Sequence, residues 1–167
     1  ELAELLTENE KPPYRVAILT VATDKITAAQ TKTLRRWVRG GGTLWVRGSA
    51  ARRFDLPVIE KKYRRAEASR TTSRGVEMLA DHPMLTGVRE VICSGMHVVP
   101  RAEGILGRPM LEIVAGDTPQ YVCWFAPMSK GKVVFLPDEI HRKDGDGRRF
   151  MLNLKLFSLD KEIPPGQ

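Results

Sequence analysis

Cysteine is nearly absent from this chain, with only Cys93 and Cys123 in 167 residues. Both lie in apolar stretches, and their separation fits neither a metal knuckle nor a disulfide framework, so they are expected as buried free thiols. Histidine is scarce as well. The three histidines include no i, i+4 pair, which argues against a helical zinc site. No apolar run approaches the roughly 20 residues that a membrane-spanning helix needs. The acidic, amphipathic start is the reverse of an export signal, whose basic segment precedes an apolar one. Gly40, Gly41 and Gly42 are followed by a strand pattern, without Lys-Ser or Lys-Thr, which excludes a phosphate-binding loop. No repeat or low-complexity segment is visible, and nothing in the sequence calls for a cofactor or a metal. The chain opens on Glu1 rather than Met, and the expectation is a domain excised from a longer polypeptide.

What is present is the composition of an ordinary globular domain, 42% hydrophobic and 28% charged. That length suits one core, expected over residues 1–160, with 161–167 as a tail or linker. The net charge of +7 is uneven. Arg52, Arg53, Lys61, Lys62, Arg64, Arg65, Arg70 and Arg74 face only Asp55, Glu60 and Glu67, so residues 52–74 carry +5. Such a segment attracts polyanions. Phe54 and Tyr63 are its only aromatics for base stacking, so nucleic-acid binding through it is expected to be weak.

Leu2, Leu5 and Leu6 follow helical spacing and mark residues 2–9 as the end of an amphipathic helix, which Pro12 and Pro13 break. Residues 14–21 are almost continuously apolar, as in a strand covered on both faces. Thr27 and Gln30 form a capping-box pattern for the next helix. Leu34, Trp37 and Val38 make its buried stripe, and Lys32, Arg35, Arg36 and Arg39 its exposed side. The three glycines turn the chain through a left-handed conformation into a strand over 43–47. Strand, helix and strand in this order form a right-handed crossover of a parallel sheet. Residues 52–81 read as a long surface excursion with little regular structure. Further strands are expected over 88–92, 97–99, 110–114, 121–126 and 132–136, the last two joined by a turn at 128–131. A final helix spans 146–159, with Phe150, Leu154 and Phe157 on one side. The class is therefore α/β, with a flavodoxin-like, mostly parallel sheet flanked by helices and extended by an antiparallel edge hairpin near 121–136.

The stretches Ile26–Gln30 and Leu34–Val46 resemble class I glutamine-amidotransferase-like domains, above all non-catalytic variants such as the trimerisation domain of bacterial β-galactosidases. Gly131–Asp138 and Asp146–Leu154 are similar to that family's last strand, its His-Pro-Glu motif and its terminal helix. The resemblance implies that the sheet lacks its first strand. It also implies that glutaminase activity is lost, for two reasons. Active members carry a cysteine at a strained elbow, where this chain has Gly48, Ser49 and Ala50. In place of His-Pro-Glu stand Leu136, Pro137 and Asp138, and leucine cannot accept a proton.

Three functional readings follow. The first is a non-catalytic module mediating assembly with other domains of a larger protein or with further copies of itself. The second is a residual hydrolase, with Ser49 as nucleophile, His141 as base and Glu139 or Asp138 orienting it, against the plainer view that Ser49 caps a segment and His141 sits in a solvated loop. The third is weak polyanion binding through Arg52, Arg53, Lys61, Lys62, Arg64 and Arg65. Two further pairings are discounted. On one strand, Cys93 and His97 would share a face about 13 Å apart. Asp144 and Asp146 lack the remaining ligands of a calcium loop.

Overall fold

The computed structural model describes residues 14–20, 27–48, 50, 58–61, 76–78, 82–89, 91–94, 97–100, 108–115 and 118–165. The expected helix over 2–9 lies outside them. Strands β1 (Val16–Leu19) and β2 (Thr43–Arg47) flank helix α1 (Ala28–Arg39). Then come β3 (Val58–Lys61), β4 (Val76–Met78), a single 3-10 turn (Pro83–Leu85), β5 (Val91–Ser94) and β6 (His97–Pro100). The chain closes with β7 (Arg108–Ala115), β8 (Thr118–Met128), β9 (Gly131–Leu136), β10 (Glu139–Gly145) and helix α2 (Gly147–Ser158).

The main sheet has the order β1-β2-β9-β8-β7-β4. β1, β2 and β9 run parallel, with Ile18 opposite Trp45 and Trp45 opposite Val134. This is the expected α/β, flavodoxin-like arrangement. The antiparallel hairpin β8–β9 does not end the sheet, however. It joins the parallel half to β7 and β4, which continue antiparallel beyond it. Two small antiparallel pairs, β3 with β6 and β5 with β10, complete the described strands.

Local sequence explains the parallel half. At the start of α1, Gln30 N donates to Thr27 Oγ1 at 3.2 Å and Thr27 N donates to Gln30 Oε1 at 2.8 Å, the reciprocal cap its spacing predicts. The left-handed turn is confined to Gly41, at φ +117°. Alternation along the strands then sorts the core onto two faces. Leu19, Leu44, Val46, Trp124, Val133 and Phe135 pack under Leu34 and Val38 of α1. On the opposite face, Trp45, Cys123, Val134 and Leu136 pack under Phe150 and Leu154 of α2. Close approach fixes where α1 ends on the hairpin. Gly131 lies against it so tightly that a Cβ there would stand 1.8 Å from the Val38 carbonyl oxygen and 2.4 Å from that of Gly42.

A buried polar chain ties α2 to β2. Trp45 Nε1 donates to Ser158 Oγ at 2.8 Å, and Ser158 Oγ donates to the Leu154 carbonyl at 2.7 Å. Asn153 Nδ2 donates to the carbonyls of Met84 (3.1 Å) and Thr86 (2.8 Å), fastening the 3-10 turn onto α2. Lys132 Nζ donates to the Phe157 carbonyl at 3.0 Å, pairs with Asp160 and lies 4.5 Å from the Phe157 ring centroid. Past α2, Arg149 holds the carbonyl of Pro164.

Several expectations are corrected. The excursion over 52–81 contains two strands, β3 and β4, because their partners β6 and β7 arrive only later in the chain. The strand expected at 88–92 is displaced to Val91–Ser94, where β10 supplies its ladder. His141 lies on β10 rather than in a loop. Trp37 is half-buried against the α1-side cluster, whereas Trp45 is buried. Among the described residues, β1 is only partly covered on its second face, where Val16 packs against the α2-side cluster. Ala17 and Leu19 point to the α1 side, while Ile18 on the other side is 45% exposed. A helix is about 10 Å wide and strands lie about 4.8 Å apart, so α2 over the middle of the sheet covers the edge strand only in part.

Candidate functional site

The carboxyl ends of β2 and β9 lie side by side, with Arg47 opposite Leu136 in the parallel register. Open α/β sheets usually place their chemistry at such an edge. Here Arg47 Nη1 donates to the carbonyl of Pro137 at 3.0 Å and to that of Asp138 at 3.1 Å, bracing the chain just beyond β9. Burial lowers the Arg47 guanidinium from its ordinary pKa, Asp138 acts against that shift and Arg142 adds to it. Leu136 is fully buried under α2, and Pro137 beside it is buried too. Neither can exchange a proton. The edge therefore carries a fixed positive charge and a peptide brace, with no proton acceptor at residue 136.

Ser49 lies outside the described residues, between Gly48 and Ala50, which are both buried. His141 is half-buried on β10, Glu139 is exposed at the start of that strand, and Asp138 lies between β9 and β10. Of the basic set, only Lys61 falls in a described element, on β3; Arg52, Arg53, Lys62, Arg64 and Arg65 lie outside the described residues.

Cys93 and Cys123 are free, buried and packed in one cluster. Burial pushes the Cys93 thiol up to about 12. Burial, with Cys93 adding to it, raises Cys123 as well. Neither is a nucleophile at neutral pH, because only the thiolate reacts readily. His97 falls on β6 and Cys93 on β5, strands of different sheets, which removes the single-strand geometry assumed for that pair. Asp146 is the residue before α2, and its Oδ2 accepts from Arg89 N at 2.6 Å. His82 caps the 3-10 turn through Nδ1, which accepts from Met84 N at 3.2 Å, and its ring packs 5.3 Å from Phe125 and 4.9 Å from Phe157. Among the described residues, no group of three or more His, Cys, Asp or Glu side chains is placed to hold a metal. Nor is any helix long and apolar enough to cross a membrane.

One concave feature among the described residues has no counterpart in the sequence reading. A groove of about 520 Å³ runs between β1 and α2, lined by Val16, Ile18, Trp45, Met151, Leu152 and Leu159. Among the described residues, its charged lining is basic: Arg142, Arg148 and Lys155. Residues 148, 151, 152 and 155 form one stripe of α2, continued by Leu159 just past its end and separate from the stripe of Phe150, Leu154 and Ser158 that faces the sheet. Leu152 is 45% exposed, and Tyr14, at the entry to β1, is 56% exposed. The sequence signal for this stripe is weak, because Arg148 and Lys155 alternate along it with the apolar Met151, Leu152 and Leu159. Phe150, Leu154 and Phe157 drew attention to the first stripe alone.

No family model matches the chain, and no curated protein matches it in sequence. Solved structures do match. A β-galactosidase from Bacillus circulans sp. alkalophilus superposes over 93% of this chain with TM-score 0.63 and 14% identity. One from Rahnella sp. R3 does so over 91%, with TM-score 0.63 and 11% identity. The chain spans only 24% and 23% of those two enzymes. A protein designated ThuA-like, from Bacteroides uniformis, matches over 99% of this chain and 77% of its own length, with TM-score 0.60 and 14% identity. What these likenesses establish is the fold, an α/β architecture shared with part of the β-galactosidases and with ThuA-like proteins.

Proposed function

We propose that this chain is a non-catalytic, amidotransferase-like module that mediates assembly within a larger protein. The observation that carries the reading is the open apolar surface of β1 and α2, where Ile18 and Leu152 are each 45% exposed beside the groove. An apolar surface at a sheet edge is a surface for another polypeptide. The braced carboxyl edge supports the non-catalytic half of the reading, since Leu136 occupies the place where the resembled family keeps its base. The fold's occurrence as about a quarter of a β-galactosidase supports the modular half.

The test is amide hydrogen exchange in the full-length protein. Residues 16–19 and 151–155 should be protected there. Replacing Ile18 and Leu152 together by Asp should raise their exchange while the remaining strands stay protected. Equal exchange in native and variant proteins would remove the assembly surface. Glutamine hydrolysis by the native protein would remove the non-catalytic claim.

A further inference from the structure

We infer that the outer face of α1, together with Lys130, docks an acidic helix of a partner polypeptide. This face lies across the main sheet from the β1–α2 surface, because α1 and α2 pack on opposite sides of it. It is a second contact, independent of the first.

The first observation is geometry. At about 100° per residue, Lys32, Arg36 and Arg39 fall within about 60° of one another, turned away from the buried Leu34 and Val38. All three are exposed, and they span about 10 Å along the helix at about 1.5 Å per residue. The hairpin turn adds a fourth cation. Lys130 N donates to the Arg39 carbonyl at 3.3 Å, which seats exposed Lys130 against the end of α1. Residues 28–39 and 128–131 contain no Asp or Glu, and among the described residues no carboxylate pairs with any of the four cations.

The second is energetics. Arg36 and Arg39 suit the negative end of the helix dipole, but Lys32 lies outside the last turn. Lys32 and Arg36 stand four residues apart and Arg36 and Arg39 three, spacings at which like charges weaken a helix. The stability of α1 therefore does not explain the stripe. Carboxylates brought to it from outside would relieve the repulsion.

The third is complementarity. An acidic helix laid along α1 presents carboxylates at the same spacings of three and four, and guanidinium groups bind carboxylates through paired hydrogen bonds. A nucleic acid is a poorer occupant. Four cations meet at most about four phosphates, against about 6–10 in strongly salt-dependent DNA binders. The one aromatic residue of α1, Trp37, is half-buried against the core rather than offered to bases.

The test titrates chain 1–167, isotopically labelled for amide detection, with a helical peptide carrying glutamates three and four residues apart. Exposed ion pairs are individually weak, so the isolated peptide should bind at about millimolar concentration. Amide signals of Lys32, Arg36, Arg39 and Lys130 should move, and a peptide with glutamine for each glutamate should leave them in place. Lys32→Gln, Arg36→Gln and Arg39→Gln together should weaken binding about tenfold, with unmoved strand signals as proof of folding. Equal shifts from the glutamine peptide, or shifts confined to residues outside α1 and the 128–131 turn, would overturn the inference. So would a DNA duplex that binds these four residues more tightly than the peptide at physiological salt, since the occupant would then be a nucleic acid. Hydrogen exchange at residues 16–19 and 151–155 tests the other surface, and none of these outcomes alters it.

Discussion

Replacing Gly131 by Ala should cost about 3–5 kcal/mol, although it adds a single methyl group. The new Cβ would lie 1.8 Å from the Val38 carbonyl oxygen and 2.4 Å from that of Gly42, where ordinary contact begins at 3.4 Å. Both obstacles are backbone, so no rotamer change relieves them. The hairpin must retreat by more than 1.5 Å from the end of α1. Two bonds anchor it there: Lys132 N donates to the Gly42 carbonyl at 3.1 Å and Lys130 N to the Arg39 carbonyl at 3.3 Å. Overpacking typically costs about 1–3 kcal/mol, and each lost hydrogen bond about 1 kcal/mol. Gly40→Ala is the matched control. Gly40 has helical φ −76°, and its added Cβ would come no nearer than 3.3 Å to the Trp37 carbonyl oxygen. It should change stability by less than about 1 kcal/mol. Urea unfolding followed by tryptophan fluorescence, with m held as a check on two-state behaviour, reads both. Gly131→Ala within 1 kcal/mol of the native protein would refute the close docking of α1 on the hairpin.

Other substitutions test the core and the charges. Trp45→Ala should cost about 3–5 kcal/mol. Trp37→Ala should cost less, because Trp37 is half-buried; the reverse order in urea would contradict the two-face core. The thiols give a pH dependence. Their folded pKa values are raised, so the unfolded chain releases these protons first, and stability is intact below about pH 9 and declines toward pH 12. Each thiol adds about 1.4 kcal/mol of loss per pH unit in that window. The Cys93→Val, Cys123→Val double variant should show a shallower decline of its urea midpoint between pH 8 and pH 10.5, and identical slopes would contradict thiol burial. Binding of heparin through residues 52–74 should be weak, vanish at physiological salt and disappear in an Arg64→Glu, Arg65→Glu variant. Sub-micromolar affinity for a defined nucleic acid at that salt would promote the polyanion reading.

Short-range chemistry made the parallel half of the fold legible. The Thr27–Gln30 box, the stripe of Leu34 and Val38 and the run over 43–47 each depend on neighbours within four residues. β3 and β4 were not legible, because they exist through pairing with strands about 35–40 residues away. β10 was missed for the same reason. Its sequence, Glu-Ile-His-Arg-Lys-Asp-Gly, lacks a strand's alternation, and its ladder with β5 is broken by a bulge between Ile140 and Gly145. At the carboxyl edge, Leu136 could be read in advance from the motif it replaces. The Arg47 brace could not, since its acceptors are backbone carbonyls that carry no sequence signal. Continuous apolarity over 14–21 suggested a doubly covered strand, but apolar residues record that a face is to be covered and not what covers it.

The claim that the β1–α2 surface is an assembly surface is tested most directly by photo-crosslinking in the full-length protein. A photoreactive phenylalanine analogue would be placed once at Ile18 and once at Leu152, with the adducts mapped by mass spectrometry. The account expects both positions to crosslink to one common polypeptide segment. Adducts with water alone at both positions would contradict it.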